Sequence, residues 1–274
     1  MVETMKIGLA LGSGAARGLA HIGVLEVLHK EGIPIDMISG TSAGAFIGAL
    51  YARGRDIGAV KNIVRGLTRK HLISLADLIP SRTGLIQGGK IKDILEAAIG
   101  GDIAFTDLKI PFACIATDIM TGEEVVINQG SVLDGVRASI SIPLLLSATK
   151  LRSRYLVDGG LVNPVPVNIL KRMGANIVIA VNVIPNFKTE IQKTEKLKGP
   201  NILDIIMHTM YIGNAILVRH SLEGADISIE PDVRYIGAGD FHRADECIMQ
   251  GKKAAEESIT KIRVQLEVYG SQSL

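Results

Sequence analysis

Two apolar segments near the start of the chain each lead into a glycine-containing turn and then into a helical pattern. Residues 6–11 (KIGLAL) and 35–39 (IDMIS) are typical of short buried strands. Leucine, isoleucine and valine at spacings of three predict a helix over residues 18–30, and a second helix is expected from Ala43 onward. Strand, turn and helix, repeated twice, are typical of a parallel sheet with crossover helices, so the sequence predicts an α/β fold.

The remaining part of the 274 residues shows no internal repeat and no low-complexity segment. Further strands are predicted at 112–118, 123–128, around 155–157 and at 177–183. Further helices are predicted at 132–139, 164–173, about 201–222 and about 243–268, and residues 56–100 are expected to be mainly helical. The polar segment 185–200 is expected to be a mobile loop. Length and pattern together predict a single domain over residues 1–274.

The composition argues against several classes of function. Aromatic residues make up 4% and tryptophan is absent, so stacking platforms for nucleic acid are not expected. Thirty basic and 28 acidic residues give a formal charge of +2, which is too balanced for a nucleic-acid surface. Cys114 and Cys247 are isolated and expected to be buried, which argues against a disulfide framework or a zinc site and suits a reducing cytoplasm. No stretch reaches the ~18 apolar residues of a membrane span, so a soluble or peripheral protein is expected.

The segment GTSAG, residues 40–44, lies between the second predicted strand and the helix that follows it. It has the G-x-S-x-G pattern of a nucleophile elbow in the strand–turn–helix context that such an elbow requires. A sharp turn would project the Ser42 hydroxyl beside a helix N-terminus, while Gly40 and Gly44 would let strand and helix pass closely. The alternative is a serine that merely caps the helix between two turn glycines, because the pattern also occurs by chance.

The segment GSGAARG, residues 12–18, follows the first strand and opens the first helix. Backbone N–H groups at such a turn can hold an anion. A dinucleotide site would need a glycine where Arg17 stands and an acidic residue after the second strand, which instead ends in Ser39 and Gly40. An oxyanion hole therefore fits this loop better than a pyrophosphate site. The candidate residues of this hole are Gly12, Ser13, Gly14, Ala15 and Arg17.

Asp158, followed by Gly159 and Gly160, comes directly after another predicted strand. An aspartate before two glycines can be an ordinary turn residue. Beside the other two loops, however, it is the expected base for the Ser42 hydroxyl, provided that burial raises its basicity.

An alternative catalytic arrangement is a Ser-His-Asp triad. Three histidines follow Asp158 and are candidates for its base: His208, His220 and His242. In α/β-hydrolases the elbow comes later in the chain, so these side chains are expected at the surface or in helix packing. His21 is also expected to be structural.

Together these segments resemble the patatin-like phospholipase family. The glycine-rich loop with Arg17, the following AHIGVLEVL, the GTSAG elbow and the later DGG occur in the order of that family. Further matching stretches are PFACIATDIMTGEEVVINQG, VRASISIPLLLSAT and LVDGGLVNPVPV. The resemblance covers residues 6–183, which would form the catalytic core, while residues 184–274 would add a loop and C-terminal helices to the same domain.

The resemblance implies a three-layer α/β/α fold with a mostly parallel central sheet. It also implies hydrolysis of acyl esters of lipids by a dyad, with Ser42 as nucleophile and Asp158 as general base, and with no metal or cofactor. N–H groups around Ser13, Gly14 and Ala15 would form the oxyanion hole, and Arg17 would brace that loop. Many members carry a longer glycine run, so the serine and alanine found here predict a tighter pocket.

Other functions remain open at this level. The substrate could be a thioester or a simple soluble ester, and the chain could instead bind a nucleotide or act as a regulatory protein. The expected partner is a lipid or another acyl ester, peripheral membrane contact is compatible with it, and nucleic acid is not expected. The segments 185–200 and 56–100 are candidates for a lid. Side chains that could line an acyl channel, although helix core is their expected role, are Met207, Met210, Tyr211 and Ile212.

Overall fold

The computed structural model describes residues 5–54, 56–74, 88–185 and 202–272. The strands in these ranges are β1 (Ile7–Leu11), β2 (Met37–Thr41), β3 (Phe112–Asp118), β4 (Glu124–Ile127), β5 (Thr149–Leu151), β6 (Arg154–Asp158), β7 (Ile177–Val181) and β8 (Ile227–Ile229). The helices are α1 (Ala20–Lys30), α2 (Ala43–Ala52), α3 (Ile57–Ser74), α4 (Gly88–Ile99), α5 (Val132–Ser139), α6 (Val167–Arg172), α7 (Ile202–Ser221) and α8 (Ala244–Gln272). Within the described residues, none of these helices is long and apolar enough to cross a membrane.

The strands form one mixed sheet in the order β5-β6-β3-β2-β1-β7-β8, with β4 added to β3. The five strands β3, β2, β1, β7 and β8 pair in parallel, as the strand–helix alternation predicts. The antiparallel pairs lie at the other end, where β3 meets β4 and β6, and β5 meets β6. The sheet is therefore parallel at its centre and antiparallel at one end.

Alternate side chains of each strand pack on opposite faces of the sheet. On one face, Leu9 and Leu11 of β1 belong to the larger core, which is completed by side chains of α1 to α5 and α8. On the other face, Ala10 and Met37 pack against α6 and α7. Each fully buried leucine contributes roughly 1.5–3 kcal/mol of transfer free energy to such a core. The arrangement confirms the predicted three-layer α/β/α fold.

The position of the candidate site follows from the pairing of β3. Ile115 and Ala116 both pair with β4 along one edge of β3. Along the opposite edge, Ile115 pairs with Thr41, the last residue of β2, and Ala116 pairs with Asp158, the last residue of β6. Because β2 runs parallel to β3 and β6 runs antiparallel to it, the carboxyl ends of β2 and β6 meet head to head. This register places Asp158 beside Ser42, the residue that follows β2.

Most elements lie close to their predicted positions, and β3 and α5 match the prediction at both ends. The predicted start of α6 at Pro164 was wrong, since the helix begins at Val167 with Pro166 as its N-cap. A residue before a proline is disfavoured in the helical region, so Val165 is kept out of the helix. Strand β8 was not predicted, because its three residues are too short to show an alternating pattern.

Two predicted regions fall partly outside the described residues. The helical prediction for 56–100 is confirmed for α3 and α4, while residues 75–87 lie outside the described part of the chain. The predicted loop 185–200 lies outside it from residue 186 onward. Cys114 and Cys247 are free and buried, as predicted.

Candidate active site

Ser42 occupies the predicted elbow between β2 and α2. Its φ of 55° and ψ of −118° lie outside the regions that non-glycine residues normally adopt. Such a conformation costs about 1–3 kcal/mol and persists only where the surrounding structure fixes it. The Ser42 N–H donates to Ser139 Oγ at 2.9 Å, and the residue is 3% exposed. Ser42 is therefore held in one orientation at the N-terminus of α2, where the helix dipole favours a developing negative charge.

The Ser42 side chain makes no capping hydrogen bond to α2. Its hydroxyl instead faces the carboxylate of Asp158, where it favours the ionised form and lowers the pKa of that group. This contact argues against the alternative of a simple helix cap. The elbow glycines have a steric role, because a β-carbon on Gly44 would lie 2.1 Å from the Leu11 carbonyl oxygen and one on Gly40 would lie 2.6 Å from the Gly44 oxygen.

Asp158 ends β6 and is 3% exposed. Its Oδ1 accepts the Gly160 N–H at 2.8 Å, and its own N–H donates to the Ser141 carbonyl at 2.9 Å. A β-carbon on Gly159 would lie 2.2 Å from the Ile115 carbonyl oxygen, so the chain can follow β3 this closely only with glycine there. The two glycines therefore fix the carboxylate beside the sheet.

Burial raises the pKa of Asp158 from its ordinary value to about 6. Hydrogen bonds from the Ser42 hydroxyl and the Gly160 N–H oppose this shift, since they favour the ionised form. A carboxylate of this pKa is ionised at neutral pH and still basic enough to accept a proton from a serine.

Some backbone N–H groups of the glycine-rich loop donate to main-chain carbonyls, and others do not. The Gly12 N–H donates to the Val181 carbonyl at 3.0 Å and the Ser13 N–H donates to the Pro164 carbonyl at 2.8 Å. These two amides are therefore engaged in joining the loop to β7 and to the segment that precedes α6. Among the described residues, the N–H groups of Gly14 and Ala15 have no such acceptor. They are the amides of this loop that remain for an anion.

Two buried side chains hold the loop from behind. Arg17 Nε donates to the Ile236 carbonyl at 2.7 Å, and its guanidinium lies 5.0 Å from the ring centre of Tyr211. Burial lowers the pKa of Arg17. His21 Nε2 lies 2.7 Å from the Gly12 oxygen, and burial lowers the pKa of this ring to about 4, so a neutral imidazole donates to that carbonyl. The geometry thus supports the bracing role expected of Arg17 and a structural role for His21.

The hydroxyl, the carboxylate and the loop open into one small cleft. Its lining residues are Ser13, Ala15, Ser42, Ile142, Asp158, Met210, Tyr211 and Asn214. Met210 and Tyr211, considered as channel residues from the sequence, do line it. Ile212 is 56% exposed, and the side chain of Met207 lies outside the described residues.

Asn214 and Ile142 were not predicted as site residues. With the Asn214 amide oriented so that its oxygen and its nitrogen both find partners, its nitrogen donates to the Gly160 carbonyl at 2.8 Å, which ties α7 to the loop that carries Asp158. No motif marks this asparagine, because the contact joins segments that are far apart in sequence. Only the tertiary fold could reveal it.

None of the candidate triad histidines described here lines the cleft. His220 is exposed and pairs with Glu223 at 3.0 Å, and His242 is exposed near the start of α8. The side chain of His208 lies outside the described residues. The geometry thus favours the serine–aspartate pair.

Comparison with known proteins identifies the family. Residues 9–171 match the patatin-like phospholipase family. An uncharacterized NTE family protein of Mycobacterium tuberculosis is 35% identical over 178 residues, which cover 65% of this chain and 49% of that protein. A second such protein of this organism is 29% identical over 275 residues, covering 92% of this chain and 46% of that protein. The chain thus spans about half the length of these relatives.

Two further proteins extend the comparison. The neuropathy target esterase of Drosophila melanogaster is 35% identical over 184 residues, which cover 65% of this chain and 13% of that protein. The structure of VipD from Legionella pneumophila superimposes with a TM-score of 0.52 at 12% identity, covering 94% of this chain and 67% of VipD. That likeness concerns the fold alone. The family match spans more than half of the chain and includes the glycine-rich loop, Ser42 and Asp158, so the chain belongs to the patatin-like phospholipase family.

Proposed function

We propose that this protein is a serine hydrolase of carboxylic esters of lipids, with Ser42 as nucleophile and Asp158 as general base. The observation that carries the proposal is the contact between a strained, buried serine and a buried carboxylate whose pKa is raised to about 6. Structural serines seldom combine backbone strain with a basic partner, whereas nucleophiles need both a fixed orientation and an adjacent base. Family membership supports the same chemistry.

The mechanism follows from the positions of these groups. Asp158 takes the Ser42 proton while the Ser42 oxygen attacks the ester carbonyl, which gives a tetrahedral intermediate. The N–H groups of Gly14 and Ala15, together with the N-terminus of α2, stabilise its oxyanion. Protonated Asp158 then gives its proton to the leaving alcohol, and an acyl-enzyme forms on Ser42. Water hydrolyses this acyl-enzyme with Asp158 again as base, and the cycle uses no metal or cofactor.

The apolar side of the cleft supports a lipid acyl group as substrate. Ile142, Met210 and Tyr211 line it beside the hydroxyl and offer no charge to bind a polar acyl group. The names of the matched family and of the Drosophila esterase refer to phospholipid and ester hydrolysis. The proposal includes that the protein is located in the cytoplasm and contacts a membrane surface during hydrolysis.

The nucleotide-binding alternative has less support. A pyrophosphate site needs several free amides at the start of the first helix. The Gly12 and Ser13 amides are engaged with main-chain carbonyls, and the hydroxyl of Ser42 lies beside a carboxylate that would repel phosphate. A soluble ester or a thioester would use the same steps as a lipid ester, so substrate profiling must separate these classes.

We expect the rate of ester hydrolysis to fall as the pH is lowered through about 6. The reason is that only the ionised Asp158 carboxylate can accept the Ser42 proton, and its pKa is raised to about 6. Well below that pH, kcat/KM should drop about tenfold per pH unit. Initial rates with a p-nitrophenyl ester, followed at the isosbestic wavelength of p-nitrophenol, measure this limb. A rate independent of pH through this range would contradict Asp158 as the base.

A substrate panel tests the proposed function as a whole. It contains a phospholipid, a lysophospholipid, an acylglycerol, an acyl thioester and a short soluble ester, each assayed with the wild type and with Ser42→Ala. We expect the lipid esters to be the best substrates by kcat/KM and the variant to be inactive on all of them. Strong preference for the short ester would overturn the lipid assignment. Binding of NAD or ATP without any hydrolysis would favour the nucleotide alternative.

A further inference from the structure

One short segment holds both halves of the proposed dyad by their backbones. Ser139, the last residue of α5, accepts the Ser42 N–H on its Oγ at 2.9 Å. Ser141, two residues later, accepts the Asp158 N–H on its carbonyl oxygen at 2.9 Å. Both serines are fully buried. The separation of the Ser42 and Asp158 backbones therefore depends on a span of three residues at the end of α5.

The hydrogen bond that Ser139 accepts holds Ser42, a residue with a strained backbone conformation. The φ of 55° at Ser42 requires surrounding contacts to maintain it. Ser139 Oγ is the acceptor of the Ser42 amide, and loss of this oxygen would leave a buried N–H without a partner. The backbone could regain an acceptor only by rotating, and that rotation would move the nucleophilic oxygen.

Ser141 is fixed in turn by Arg137. Arg137 Nη1 donates to Ser141 Oγ at 2.6 Å, and the Ser141 hydroxyl donates to the Arg137 carbonyl at 2.8 Å. Nη2 of the same guanidinium donates to the carbonyl and the hydroxyl of Ser147, at 3.1 and 3.3 Å. The planar, forked guanidinium thus joins the end of α5 to the segment that leads into β5.

The position of Arg137 is costly, which suggests a role beyond packing. It is 6% exposed, and burial lowers its pKa. No carboxylate among the described residues forms an ion pair with it, and a buried cation without a counter-ion is unfavourable. Its donors are directed to serines that adjoin the site.

We propose that Ser139 and Ser141, fixed by Arg137, are positioning residues that set the distance and angle between Ser42 and Asp158. The inference rests on the proposed function, because positioning has a consequence only if Ser42 and Asp158 react. None of the three touches the substrate cleft, so none is catalytic in the strict sense. They act through the backbones of the two reacting residues.

This role differs from an electrostatic one. The pKa of Asp158 is set by burial and by hydrogen bonds from Ser42 and Gly160, without a contribution from the Arg137 charge. Changes at Arg137 or Ser139 should therefore lower kcat, and the acid limb near pH 6 should move only to higher pH, as far as a weakened contact between Ser42 and Asp158 raises that pKa. A purely structural role would lower stability without changing kcat of the folded protein.

The experiment compares Ser139→Ala with a matched control, Ser39→Ala. Ser39 is also fully buried, and its hydroxyl donates to the Pro166 carbonyl at 2.8 Å on the other face of the sheet. Each variant removes one buried hydroxyl and one hydrogen bond, so both should lose a comparable amount of thermal stability. We expect Ser139→Ala to lower kcat by ~10- to 100-fold, since a small displacement of reacting groups has an effect of this order. Ser39→Ala should keep kcat within about threefold, and KM should stay within about twofold for both variants.

Arg137→Lys provides a second variant, which keeps the charge and loses the fork. We expect kcat to fall by roughly tenfold or more. Wild-type kcat in Ser139→Ala or in Arg137→Lys, or an equal loss in Ser39→Ala, would each overturn the positioning role. Ser42→Ala is assayed in parallel: if it is inactive, such results overturn positioning alone, whereas wild-type activity in Ser42→Ala overturns the proposed function and the inference with it.

Discussion

Replacing Ser42 with alanine should abolish ester hydrolysis, with a fall in kcat of about 10⁴-fold or more. The change removes the oxygen that attacks the carbonyl and forms the acyl-enzyme, and among the hydroxyls that line the cleft it is the Ser42 hydroxyl that lowers the pKa of Asp158 as a hydrogen-bond partner. The loop amides can still stabilise the oxyanion, but the attacking group is then water, which is a poor nucleophile. Steady-state rates with a p-nitrophenyl ester and with a phospholipid measure the loss.

The same position allows a control for folding. Alanine must still adopt a φ of 55°, so Ser42→Ala should unfold at nearly the wild-type temperature. Glycine accepts this conformation without strain, so Ser42→Gly should be equally inactive and more stable, by about 1 kcal/mol in the free energy of unfolding. Substantial hydrolysis by both folded variants would remove Ser42 from the mechanism.

Replacing Asp158 with asparagine should lower kcat by roughly 10²- to 10⁴-fold, the range that a general base contributes. Asparagine keeps an oxygen that can accept the Gly160 N–H, so the loop should stay in place. Its amide cannot take a proton from Ser42, and the serine is then a weak nucleophile. The acid limb near pH 6 should also disappear from the residual activity. Wild-type turnover in Asp158→Asn would contradict the proposed base.

The stability of this variant gives an independent check. The pKa of Asp158 is raised from 3.8 to about 6 in the folded protein, so the folded state binds this proton more tightly than the unfolded state. The ionised carboxylate therefore destabilises the fold above about pH 6, and this effect fades as the pH falls towards 4. We expect Asp158→Asn to raise the unfolding temperature at about pH 8 and to lose this advantage at about pH 4. Thermal unfolding at both values measures the difference.

The sequence predicted the elements whose periodicity is long or whose boundaries carry strong signals. The seven residues of β3 form a continuously buried strand, and the Ser131 side chain caps α5. The sequence did not reveal β8, which becomes a strand only because β7 offers an edge for parallel pairing. Helix α6 begins directly after the second of two prolines, Pro166, whereas the prediction placed its start at the first one, Pro164.

At the site, the sequence identified residues whose chemistry is marked by neighbouring glycines. Ser42 and Asp158 each stand in such a turn, directly after a predicted strand. Side chains that act across the fold carry no such mark. Ser139 meets the elbow from 97 residues away, and Asn214 reaches the acid loop from α7. The engagement of the Ser13 amide likewise depends on a carbonyl that only the tertiary structure supplies.

The most direct measurement is mass-spectrometric mapping of a fluorophosphonate adduct together with its rate of formation. The proposed mechanism predicts one adduct, on the peptide that contains Ser42. It should form rapidly in the wild type at neutral pH, more slowly below about pH 6, and far more slowly in Asp158→Asn. An adduct on another residue, or labelling of Ser42 at the wild-type rate in Asp158→Asn, would contradict the serine–aspartate mechanism.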